Sequence, residues 1–110
     1  MKIVLVPGLV KFTVGTELAK TFDEECKVIW LSNTVITNYA DKKQVEFVRR
    51  EIRDNFEKVK KMMKGNTEVY VILSGSNFNV SEVISMLEQE GIEYKRLIYE
   101  KKIEKYVVVE

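Results

Sequence analysis

The chain has 110 residues, 45% hydrophobic and 32% charged, the composition of a single globular domain spanning residues 1–110. Eighteen basic residues against seventeen acidic ones leave a formal charge of +1, so binding to nucleic acid or membrane would need a local patch. Histidine is absent and cysteine occurs once, at Cys26. That argues against a zinc site and an internal disulfide, predicting a reducing, cytoplasmic setting with no metal and no cofactor.

Residues 3–6 are apolar and run into Pro7-Gly8, with no small-residue cleavage pattern after them. They read as a first strand rather than a signal peptide, and no stretch approaches the roughly 20 apolar residues of a membrane span. Leu18 and Phe22 are four apart, with Thr16 as a candidate N-cap and Glu17 beside it, which predicts a short helix. A second strand follows at 27–31 and ends in Ser32-Asn33-Thr34. The stretch 34–40 is a connection with room for one short strand: Val35-Ile36-Thr37 favours extended structure, Asn38 and Asp41 a turn.

The clearest helix starts at Asp41, which with Gln44 has capping-box spacing. Val45, Val48, Ile52, Phe56, Val59 and Met63 form one apolar stripe, and charged residues fill most of the remaining positions. Phe47 falls off that stripe. Gly65-Asn66 predicts a left-handed C-terminal cap, for a helix roughly 33 Å long. The third strand, 69–73, runs into Ser74-Gly75-Ser76-Asn77. Asn79 and Glu82 again have capping-box spacing, and Val80, Val83, Ile84 and Leu87 supply a buried face that Gly91 ends. Strands at 94–99 and 106–109 then flank a charged turn. The element order predicts an α/β fold: a three-layer, Rossmann-like sandwich with a mostly parallel sheet and a C-terminal antiparallel hairpin.

In such a fold the ends of the first three strands lie along one edge, where open α/β sheets bind ligands. The candidate ligand-binding residues are Gly8, Lys11 and Thr13 after the first strand, and Ser32 and Asn33 after the second. Ser74, Gly75, Ser76 and Asn77 follow the third. Gly75 permits a sharp turn or a close backbone approach, and free amides at the following helix start favour an anion. The same four residues are also ordinary turn and cap formers. Neither loop matches a Walker A or dinucleotide-binding pattern, and no catalytic residue is identified. Lys58, Lys60, Lys61 and Lys64 offer a basic helix end for nucleic acid, or simply complement the helix dipole.

The pattern over residues 69–79, a strand ending in a glycine-containing polar loop before a helix, resembles the CRISPR-associated Rossmann-fold (CARF) domains. The terminal strand pair is similar to that family's closing hairpin. The resemblance implies a symmetric homodimer that binds cyclic oligoadenylate, an RNA ligand, along the strand edge. Gly75 and Ser76 would hold phosphate or ribose, and Lys11 would neutralise charge. It further implies that any enzymatic activity is metal-independent cleavage of that ring. Three functions are therefore expected in turn: a module binding a nucleotide-like ligand, a homo-oligomeric scaffold, and nucleic-acid binding through the lysine-rich helix end.

Overall fold

The computed structural model describes residues 1–8, 18, 21–22 and 26–109. Five strands form one sheet: β1 (Lys2–Val6), β2 (Cys26–Trp30), β3 (Glu68–Ile72), β4 (Lys95–Glu100) and β5 (Lys105–Val109). Their spatial order is β2-β1-β3-β4-β5. The first four are parallel, and β5 returns antiparallel with Tyr106 opposite Tyr99. This is the α/β, Rossmann-like sandwich with a C-terminal hairpin that the element order predicts.

A strand covered on both faces must be apolar at every position, not at alternate ones. β1 obeys this rule: Ile3, Val4, Leu5 and Val6 are all wholly buried. Ile3 and Leu5 join Val69 and Val71 of β3 on one face, while Val4 and Val6 join Tyr70 and Ile72 on the other. The first face is covered by α1 (Lys42–Lys60), through Val48, Ile52, Phe56 and Val59, and by α2 (Asn77–Gln89), through Val83, Met86 and Leu87. Leu18 and Phe22 pack on the second face. There the amides of Thr21 and Phe22 both donate to the Leu18 carbonyl, at 2.9 and 3.1 Å. The remainder of the short helix expected before β2 lies outside the described residues.

Three local expectations are corrected. Residues 34–40 form no strand. Instead the Gln44 carbonyl oxygen accepts from the backbone amides of Thr37 and Asn38, at 3.0 and 3.3 Å, and folds the segment over the start of α1. The Asp41 carboxylate caps α1 through the Lys43 amide, as the capping signal implies. Secondly, α1 ends at Lys60, one turn before Gly65, with a right-handed C-cap at Lys61. Its 19 residues span about 28 Å, and Met63 packs on the core from the turn that follows. Thirdly, α2 begins at Asn77 with Ser76 as N-cap, so Asn79 lies inside the first turn. Its far end follows expectation. Gly91 takes φ +67°, and the amides of Gly91 and Ile92 bond to Glu88 and Leu87 as in a Schellman motif. Among the described residues, no helix is long and apolar enough to cross a membrane.

Phe56 and Phe47 share α1 but not its environment: the first is buried, the second 58% exposed. Phe56→Ala is expected to cost about 3–5 kcal/mol in urea denaturation. Phe47→Ala should stay within about 0.5 kcal/mol of the parent.

Candidate functional site

The sheet register places the ends of the parallel strands side by side. Val6 lies opposite Trp30, and the Leu31 amide continues the ladder by donating to the Val6 carbonyl at 2.9 Å. On the other flank β1 pairs with β3, so the chain order reverses direction across the sheet between β1 and β3. Ligands of open α/β sheets settle at such a switch point.

Two contacts tie the three strand ends together there. The Asn79 side chain, 3% exposed, donates from Nδ2 to the Pro7 carbonyl at 3.0 Å and so locks α2 onto the end of β1. Tyr39, from the segment after β2, brings its hydroxyl within 2.7 Å of Ser76 Oγ, at the end of the β3 loop. Its ring stands edge-on to Phe78, centroids 6.2 Å apart. Arg49 of α1 lies over the other aromatic partner, its guanidinium 5.5 Å from the Phe78 centroid. That cation is already matched by Glu82 at 3.2 Å and Glu46 at 3.4 Å.

The loop between β3 and α2 is built for a tight reversal. Gly75 takes φ +89°, a region that side chains with a Cβ rarely adopt. Ser76 then sits in extended conformation as N-cap, but its side chain makes no capping hydrogen bond. Its hydroxyl is engaged by Tyr39 instead. The first turn of α2 therefore opens at the sheet edge without a side-chain acceptor, at the positive end of the helix dipole.

The expected residues fall into different surroundings. Gly75 and Asn77 are exposed, and Ser74 and Ser76 half-buried, all on this loop. Asn33 is exposed on the neighbouring segment. Ser32 is 1% exposed, and its hydroxyl donates to Glu51 Oε1 at 2.6 Å while accepting from the Thr34 amide at 3.2 Å. Gly8 is buried too: a Cβ there would meet Asn79 Nδ2 at 2.8 Å. Asn79 packs against Gly8, and Glu51 binds the Ser32 hydroxyl from within. Both positions are therefore engaged by neighbours inside the molecule. Lys11 and Thr13 lie outside the described residues. At the basic end of α1, Lys60 is held by Glu90 and, less strongly, by Glu57, which raise its pKa above the usual lysine value.

Sequence reasoning did not single out Tyr39 or the packing role of Asn79. Asn79 carried a signal, a polar residue before an apolar helical stripe, which spacing alone assigned to a cap. Tyr39 carried none beyond its place in a segment of mixed propensity.

A separate groove of about 580 Å³ opens at the opposite end of the sheet, lined in part by Glu68, Tyr70, Tyr94 and Lys95. Burial pushes the Tyr70 phenol up, and its bond to Glu68 adds to the shift. The Lys2 ammonium, 3.0 Å away, holds the Glu68 carboxyl below the usual range. These charges are satisfied among themselves, and the groove lies away from the switch point. The chain matches no protein-family model, no curated protein and no solved structure.

The Gly8–Asn79 contact is testable by a double-mutant cycle. Asn79→Ala should cost about 1–3 kcal/mol by stranding the Pro7 carbonyl. Gly8→Ala should cost a similar amount, about 1–3 kcal/mol, by overpacking. The double variant should lose less than the sum in chemical denaturation, since the new methyl enters the space the amide leaves.

Proposed function

We propose that this chain is a small α/β module that binds a phosphorylated, nucleotide-like ligand at the C-terminal edge of its sheet. The observation that carries this reading is the first turn of α2, which opens at the switch point with no side chain capping it. Amides of that turn donate to phosphate oxygens, and the helix dipole favours the negative charge. Gly75 brings the backbone close, and the Ser76 hydroxyl exchanges Tyr39 for a ligand oxygen. Tyr39, 56% exposed, offers a ring beside the phosphate position for a base or ribose.

Cyclic oligoadenylate, the ligand implied by the CARF resemblance, carries both groups this edge recognises, phosphates and stacking bases. Binding is the activity proposed; no residue at the edge is assigned to bond cleavage.

Titration calorimetry with inorganic pyrophosphate, AMP and a cyclic oligoadenylate tests the reading. Saturable binding is expected, with Tyr39→Ala weakening AMP but not pyrophosphate. Ser76→Asp is the sharper variant. A carboxylate at the N-cap should stabilise the fold by up to about 1 kcal/mol while repelling the anion and abolishing binding. Heat signals unchanged by Ser76→Asp, or absent for all three ligands, would contradict the proposal.

A further inference from the structure

Val35 and Phe47 are the two most exposed large hydrophobic residues among those described, at 61% and 58%, and they line one groove of about 380 Å³. Neither side chain is there because its backbone is loose. The Thr34 amide donates to Ser32 Oγ at 3.2 Å, and the amides of Thr37 and Asn38 donate to Gln44 of α1. Val35 is thus held in water by bonds on both sides of it, and Phe47 by a helix whose other face is in the core. An apolar pair fixed in this way marks a docking surface.

A second groove of about 380 Å³ continues from Phe47 along the same flank of α1, past Arg50 and Asp54 to Lys58. With Lys43, which lines the first groove, these residues recur at steps of four, three, four and four. They form one stripe about 22 Å long. Its cations are Lys43, Arg50 and Lys58, all exposed. Among the described residues none of the three is in an ion pair, whereas Arg49 and Lys60 of the same helix are. Asp54 lies among them, and Glu51 beside it is turned to the hydroxyls of Ser32 and Thr34. α1 as a whole holds seven basic residues against four acidic ones.

We infer that this flank of α1 docks an acidic segment of another protein. The segment seats one bulky apolar side chain between Val35 and Phe47 and sets carboxylates against Lys43, Arg50 and Lys58. Charge selects this occupant: three exposed cations without a partner call for acidic groups, and they rim the apolar pair as a polar border rims a hot spot. The walls of the groove are already fixed, so little ordering opposes the contact. A nucleic-acid strand would use the cations but leave Val35 in water. A second copy is disfavoured by the same charges, since a two-fold axis through the middle of the stripe sets Lys43 against Lys58 and Phe47 against Asp54.

The inference is independent of any ligand at the strand edge. Phage-display selection on the full chain tests it, with a random library of peptides about 15 residues long, enough to span the stripe as a helix. Enriched peptides are expected to carry a bulky apolar residue flanked by acidic ones. In fluorescence anisotropy the most enriched peptide should bind Phe47→Ala about tenfold or more weakly than the parent, although that variant keeps its stability. Arg50→Glu, at an exposed position, should weaken it to a similar degree, about tenfold. Single-stranded DNA should not displace the peptide. No enrichment, enrichment of basic or neutral peptides, or binding indifferent to both variants would overturn the inference. Displacement by the DNA would overturn it in favour of nucleic acid, and self-association of the parent that Phe47→Ala abolishes would do so in favour of a second copy.

Discussion

Everything at the candidate edge depends on β1 being held between two parallel neighbours. A strand in that position exposes no side of its backbone or its side chains, and its four core residues are accordingly aliphatic and wholly buried. Because the chain leaves β1 for β2 on one side and returns to β3 on the other, the connections diverge at its end. The Asn79–Pro7 hydrogen bond closes the base of that divergence and fixes where α2 starts. Had α2 begun two or three residues later, Gly75 and Ser76 would lie in a loose loop instead of against a helix end.

A buried amide in that position is costly unless paired, and the Pro7 carbonyl supplies the pair. Gly8 is part of the same arrangement. With no Cβ it leaves room for the Asn79 amide, which a larger residue would displace. Ser32 and Asn55 do comparable work at the end of β2. Ser32 donates to Glu51, and Asn55 Nδ2 donates to the Leu31 carbonyl at 2.9 Å. The strand ends are thus stitched to helices by polar side chains. Among the described residues, Asn33, Gly75, Asn77 and the ring of Tyr39 are exposed at the edge.

The strands and α1 were legible because their signals are periodic. The aliphatic runs of β1 and β3 and the stripe from Val45 to Val59 follow directly from burial on two faces or one. The ends of the helices were less legible, since they are decided by tertiary partners. α1 stops before Gly65 although nothing local breaks it at Lys60. Asn79 reads as a cap by spacing and proves to be a buried packing residue, because its partner, Pro7, is 72 positions away. Of the candidate site, the loop from Ser74 to Asn77 was found through its glycine and polar composition. Tyr39 was not, since a tyrosine in a mixed segment announces neither where its hydroxyl goes nor which loop it crosses.

The central claim is that an anion sits on the first turn of α2. Amide nuclear magnetic resonance of the labelled protein, titrated with pyrophosphate, tests it most directly. Saturable shifts concentrated on the amides of Gly75, Ser76, Asn77 and Phe78, with Tyr39 following, are the predicted result. Shifts confined to the opposite groove around Glu93 and Tyr94, or no saturable shift at all, would contradict it.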